Sequence, residues 1–228
     1  VVADVNHARI RVYAPGHVVL SPATGKPLAR LHHTALSQPG NSGGALVNSE
    51  GELVGIVTSG GEGRFEAIPA TEIARLKAQS GDEHRLKSDR IGLAYKKCTE
   101  ALDAANASNQ RLAPSHITFM AEQCTSSGNR QLMDLAGQVF GRQRQFDQAI
   151  ALFERALDQD PNAINSIVAM AITLHLALRY EDEISHLRRL LDIAPADAQI
   201  LRLAIQAGTW GGDKELAEQA FGLLVEHH

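Results

Sequence analysis

The run Gln38-Pro-Gly-Asn-Ser-Gly-Gly-Ala-Leu-Val-Asn48 sets one hydroxyl, that of Ser42, among closely spaced glycines. Acyl transfer needs a hydroxyl presented on a sharp turn, with backbone N–H groups converging where negative charge develops. Gly40 admits a backbone conformation closed to residues with a Cβ, so its N–H can point inward. Gly43 and Gly44 let the chain pass close behind the nucleophile. A serine alone is a poor nucleophile; it needs a base, and the base needs an orienting acid. His7 precedes the first strand, and His32 and His33 are adjacent in Leu31-His-His-Thr-Ala35. Neighbours on a strand face opposite sides, so at most one of that pair faces the site. All three read as strand histidines rather than bases, and Asp4 is no better placed as the acid.

The elements that position Ser42 are short strands. More than half of the 19 glycines fall within the first 63 residues. They punctuate Arg9-Ile-Arg-Val-Tyr13, His17-Val-Val-Leu20, Gly44-Ala-Leu-Val-Asn48 and Leu53-Val-Gly-Ile-Val-Thr58. Each run is β-branched or alternating and four to six residues long, the pattern of strands. From about Ala70 apolar residues return at helical spacing, at Ile73, Leu76, Leu86, Ile91, Leu93 and Ala94. Residues 1–78 are expected to form the β part, 79–85 a linker capped by Ser80 or Asp82, and 86–228 a helical domain.

The helical part repeats itself. Pro161 and Pro195 lie 34 residues apart. In register with Pro161 stand Gly137, Phe140, Phe146, Ala149, Phe153 and Ala156. In register with Pro195 stand Ala171, Leu174, Tyr180, Leu187 and Leu190, with Glu183 where a small residue is expected. Ala217, Phe221 and Leu224 continue the series, with Gly208-Thr-Trp-Gly-Gly212 interrupting the first helix of that unit. Small residues let helices cross closely, aromatics fill the adjoining gap, and Pro ends the second helix. This pattern resembles the tetratricopeptide family, with repeats at 130–163, 164–197 and 198–228. Helices over Leu86–Ala107 and Pro114–Ser126 are expected to precede them. The resemblance implies a groove for a protein or peptide, lined near Gln131, Asp134, Gln138, Arg142, Asn165, Val168, Ile172, Gln199, Arg202 and Gln206. Asp134 and Gln138 occupy positions where the carboxylate-clamping members carry Lys and Asn, so a chaperone C-terminus is not indicated.

The segment around Ser42 resembles trypsin-like serine proteases, especially their HtrA-like branch. Gly-Asn-Ser-Gly-Gly is followed by a strand, a tight turn and Val54-Gly-Ile56. Gly63-Arg-Phe-Glu-Ala-Ile-Pro69 resembles that family's Phe-Ala-Ile-Pro strand with Glu66 added. The resemblance covers about residues 10–76 and implies a partial antiparallel β-barrel. It makes Ser42 the nucleophile and the N–H groups of Gly40 and Ser42 the oxyanion hole. Leu36 becomes the base of the specificity pocket, Thr58, Ser59 and Gly60 its wall, and Phe65 its back. An apolar base implies a small or aliphatic residue before the scissile bond. In that family the His and Asp lie well upstream, so they are expected from an N-terminal piece not present here. Losing the base costs on the order of a million-fold in rate, so the chain alone is expected to be inactive. It then reads as a cleavage product paired with its other half, a fragment of a longer protease, or a decayed barrel serving a repeat adaptor.

Composition narrows the classes further. A net charge of -4 and pI near 6.2 speak against nucleic-acid binding. No apolar run approaches the roughly 20 residues of a membrane helix. The opening Val1-Val2-Ala3-Asp4 carries no readable signal peptide. No metal or cofactor motif is present. Cys98 and Cys124 match no zinc or redox spacing; two buried thiols and an interhelical disulfide are equally compatible with them. A bacterial periplasmic or secreted setting is favoured over the cytoplasm. The whole is expected to be a β + α protein: a serine endopeptidase fragment joined to tetratricopeptide-type repeats.

Overall fold

The computed structural model describes residues 2–4, 9–61, 64–79, 81–108 and 111–227. The chain divides into two compact units, Val1–Leu86 with Gln159–Ala163, and Lys87–Asp158 with Ile164–His228.

In the first unit, β1 (Val2–Asp4) pairs with β2 (Arg9–Arg11) as a separate antiparallel ribbon. Five further strands follow: β3 (Val18–Leu20), β4 (Leu31–His33), β5 (Ala45–Val47), β6 (Leu53–Gly61) and β7 (Arg64–Pro69). They form one antiparallel sheet in the order β3-β4-β7-β6-β5. The sheet is open rather than a closing barrel. Closure requires the outer strands to meet through tilt and stagger, and β3 and β5 are three-residue strands at opposite edges. β7 is central and buried on both faces at Phe65, Glu66 and Ala67. Its register sets Phe65 opposite His33 and Glu66 opposite His32. Helix α1 (Glu72–Ala78) follows β7.

Helix α2 (Asp82–Ala107) starts inside the span expected as linker, so residues 82–85 are helical. Its residues 82–93 are exposed, and burial begins with the stripe Ala94, Cys98, Leu102 and Ala105. That spacing of four, four and three keeps one helical face turned inward. Helix α3 (Pro114–Ser126) starts on a proline suited to the first turn and buries Ile117, Met120 and Cys124. Cys98 and Cys124 form a disulfide between the two helices, which decides between the two states left open above.

Six helices complete the second unit: α4 (Arg130–Arg142), α5 (Phe146–Gln159), α6 (Ile164–Leu176), α7 (Tyr180–Ile193), α8 (Ala198–Trp210) and α9 (Lys214–His227). The leading helices start at Arg130, Ile164 and Ala198, and the trailing ones at Phe146, Tyr180 and Lys214, in each case 34 residues apart. The turn inside each hairpin repeats too. Arg144 (φ 60), Leu178 (φ 61) and Gly212 (φ 81) occupy the same place in the left-handed region. The next N–H then reaches back to cap the helix, Gln145 to the Phe140 carbonyl and Arg179 to that of Leu174, both at 2.9 Å. Gly137 is small because a Cβ there would stand 2.6 Å from the Phe153 ring. Helix α8 is not interrupted at Gly208; it runs on to Trp210. Gly208 instead lets α9 approach, since a Cβ would lie 2.8 Å from the Ala217 nitrogen.

Candidate active site

Two consecutive turns build the Ser42 loop. In the first, Gln38 to Asn41, Pro39 precedes Gly40 at φ +95, and the Asn41 N–H closes on the Gln38 carbonyl at 3.0 Å. In the second, Asn41 to Gly44, Gly43 takes φ +86 and the Gly44 N–H closes on the Asn41 carbonyl at 2.9 Å. A positive φ at the third residue is the type II pattern, which Pro-Gly favours and a Cβ opposes. Ser42 thus sits at an exposed corner. Behind it, Gly43 donates to the Val57 carbonyl at 2.8 Å and Val57 donates to Gly44 at 2.9 Å, pinning the loop to β6.

The Ser42 hydroxyl donates to the Thr58 carbonyl at 2.9 Å. Val57 pairs with Ala67 and Ser59 with Glu66, so Thr58 is an extra residue in β6. Such a bulge breaks the ladder locally and re-aims the groups beside it. The Thr58 side chain ties the bulge to the Glu66 carbonyl at 3.1 Å. Among the described residues, the N–H groups of Gly40 and Ser42 meet no hydrogen-bond acceptor. Asn41, between them, is 4% exposed, and its Nδ2 has no hydrogen-bond partner.

The two strand histidines part company. His32 is buried, and its Nε2 lies 3.2 Å from Oδ2 of Asp160, which is itself fully buried. The same carboxylate oxygen accepts the Arg30 N–H at 3.1 Å. His33 lies on the other face, stacked on Phe65 with centroids 6.0 Å apart. Burial lowers its pKa, with His32 adding to the effect and the Ala35 backbone and Glu66 opposing it. Neither histidine is hydrogen-bonded to Ser42, whose hydroxyl instead meets Thr58.

Of the residues expected around a specificity pocket, Thr58 is half-buried and Gly60 pairs with Phe65 in the sheet. Leu36 is 42% exposed, and its N–H is bonded to the Ala14 carbonyl at 3.2 Å. The side chains of Ser59 and Asp4, together with all of His7, Gly63 and Ser80, lie outside the described residues. His33 was no part of the expected pocket; its alternation with His32 on a strand was the only signal that pointed to it.

On the helical unit, Gln131, Gln138, Arg142, Asn165, Gln199, Arg202 and Gln206 are exposed, while Ile172 is half-buried and Val168 buried. Asp134 differs from the expected groove ligand. It is 7% exposed, and its Oδ2 accepts the Ser166 hydroxyl at 2.8 Å and Nη1 of Arg130 at 3.2 Å. Arg130 also donates to Ser166 at 3.1 Å, so the three residues bind α4 to α6 rather than facing a ligand. Arg142 donates to Asn106 Oδ1 at 2.9 Å. Among the described residues no group of three or more His, Cys, Asp or Glu is placed to hold a metal, and no helix is long and apolar enough to cross a membrane.

Residues 28–76 match the family model for Trypsin. The matched stretch carries β4 to β7, the Ser42 loop and most of α1, and it supports a trypsin-like fold there together with serine-protease-like chemistry. No curated protein matches the chain.

Proposed function

We propose that this chain is the nucleophile-bearing part of a trypsin-like, HtrA-related serine endopeptidase, joined to tetratricopeptide-type repeats that bind a protein substrate or regulator. The observation that carries the reading is the Ser42 corner itself. An exposed hydroxyl shares its turn with two amides, of Gly40 and Ser42, that meet no acceptor among the described residues. Unused donors at a reactive hydroxyl suit a developing oxyanion, where one such donor is worth roughly 3 kcal/mol. Ser42 attacks the peptide carbonyl, the two amides hold the oxyanion, and a partner piece of the protease supplies His and Asp. The 34-residue hairpin period and the exposed Gln131, Gln138, Asn165 and Arg202 support a groove for an extended protein segment.

A second reading, a non-catalytic repeat adaptor with a degenerate protease sheet, is favoured by one contact. The Ser42 hydroxyl is directed at a backbone carbonyl and not at an imidazole. A fluorophosphonate probe on the full-length protein separates the two. Labelling that vanishes in Ser42→Ala supports the enzyme, and a full-length protein that stays unlabelled supports the adaptor.

A further inference from the structure

Asp160 stands between α5 and α6 in the chain, yet it belongs to the first unit and is fully buried there. Its Oδ1 accepts the Asn162 N–H at 3.1 Å, the turn that an Asp forms with its own backbone two residues on. Its Oδ2 accepts the Arg30 N–H at 3.1 Å and faces Nε2 of His32 at 3.2 Å. One carboxyl oxygen thus holds β4 at two points. Beside it, Asn162 Nδ2 donates to the Ser21 carbonyl at 3.2 Å.

From His32 the sheet leads to Ser42 in three steps. His32 is opposed to Glu66 on β7, the strand between β4 and β6. The Glu66 carbonyl accepts the Thr58 hydroxyl at 3.1 Å, and the Thr58 carbonyl accepts the Ser42 hydroxyl at 2.9 Å. Thr58 is the extra residue of the β6 bulge, so the ladder register passes it by. A bulge re-aims the groups beside it, and the direction this one takes depends on where Glu66 is held.

We propose that Asp160 is a positioning residue for Ser42: by fixing β4 through His32 it sets the Thr58 bulge, and with it the direction of the nucleophile's hydroxyl. The proposal rests on the reading of Ser42 as a nucleophile. It makes the turn at Gln159–Ala163 a working part of the protease site, apart from any role of the helices in binding a partner. Buried polar groups are nearly always paired, and His32 is 3% exposed. Without the carboxyl its imidazole has to turn or draw in water, and β4 loses both of its anchors on Oδ2. A displacement of about 1 Å at a reacting group, caused from far away, can cost roughly 100-fold in rate.

The experiment measures the rate of fluorophosphonate labelling at Ser42 in the full-length protein, at a temperature where circular dichroism shows each variant folded. Asp160→Ala is expected to slow labelling by roughly 10- to 100-fold. Asp160→Asn, which keeps the size and one acceptor oxygen, is expected to recover part of that loss. Thr58→Val removes the hydroxyl that ties the bulge to Glu66 and is expected to slow labelling by a similar factor. Acting through one path, the two changes together are no slower than the slower single variant, whereas independent effects multiply. Should Asp160→Ala fail to fold, Asp160→Asn takes its place in the cycle. A folded Asp160 variant in that cycle that labels at or above the wild-type rate overturns the assignment, as do losses that multiply in the double variant. Either result, with the wild type labelled, sinks this proposal alone. A wild type that is never labelled sinks the nucleophile reading and this proposal with it.

Discussion

His175 Nδ1 lies 3.0 Å from Oε2 of Glu183, a carboxyl that is fully buried between helices, 34 residues after the buried Ala149. Burial pushes the Glu183 pKa up to about 8 and pushes that of His175 down, with a Gln206 hydrogen bond opposing the latter. Both shifts describe a neutral pair, with the protonated carboxyl donating to the imidazole. The rings of Tyr180 and Trp210 pack beside it, each against His175 and 5.0 Å from one another.

Stability should therefore fall with rising pH above the ordinary histidine pKa of 6.5. From there to about 8 the folded protein holds a proton on Glu183 that the unfolded chain has released, while at lower pH the proton that unfolded His175 binds offsets it. Unfolding then loses up to about 1.4 kcal/mol per pH unit, and the loss levels off above the folded pKa. Glu183→Gln keeps the shape without the charge, so its Tm should exceed that of the wild type at pH 8 and lose most of this slope. Thermal unfolding from pH 5 to 9 makes the comparison. A variant slope equal to that of the wild type would place the pH dependence elsewhere.

Leu178, 71% exposed, and Arg144 sit in left-handed turns that Gly212 fills in the third hairpin. A side chain in that conformation costs about 1 kcal/mol, and glycine removes the strain while adding some freedom to the unfolded chain. Leu178→Gly should leave stability unchanged or raise it by up to about 1 kcal/mol, read by urea denaturation. Leu178→Val should lower it, because a β-branched residue resists positive φ more strongly.

Gly40→Ala tests the loop independently of any base. A Cβ at Gly40 meets nothing within 4 Å, so the whole effect comes from φ +95. The strain, about 1–2 kcal/mol, is relieved when the peptide plane rotates, and that rotation carries the Gly40 N–H out of line with the Ser42 amide. Fluorophosphonate labelling of the full-length variant is expected to slow by roughly 100-fold, the effect of losing one oxyanion donor, with little change in Tm. Labelling at the wild-type rate would remove Gly40 from the oxyanion role.

How far could these features be read from the residues alone? The turn chemistry at Pro39-Gly40 and Gly43 is local, so the exposed corner at Ser42 follows from residue types. The hairpin period is equally legible, since Gly137 against Phe153 is a fixed offset along the chain. Partners far apart in sequence are not. Asp160 meets His32 across 128 residues, and nothing near either one signals the other. The Thr58 bulge depends on how β6 and β7 register, which their compositions leave undetermined. Glu183 was visible as a misfit, but its burial is a property of packing. Asp134 looked like a groove residue because its helix position is right; Arg130, one turn earlier, and Ser166, on the next leading helix, draw it inward.

Reducing the Cys98–Cys124 bond should loosen the start of the helical unit. The bond closes a loop with a sequence separation of 26, and cross-linking a loop of that size stabilises by about 3 kcal/mol. The expected result is a lower Tm in dithiothreitol and two thiols open to alkylation. Cys98→Ala with Cys124→Ala should reproduce the lower Tm and make it insensitive to reductant.

The linear packing of the hairpins has a consequence for how damage spreads. Helix α4 rests on α6, and α6 rests on α8. In such a stack each unit draws its support from the one beside it, so an opening that starts in one hairpin travels to its neighbour like a zipper. Amide protons should accordingly exchange in a gradient along the stack, hairpin by hairpin. A ligand spanning two hairpins would arrest that front at its own footprint, which makes the exchange pattern a map of where a partner grips.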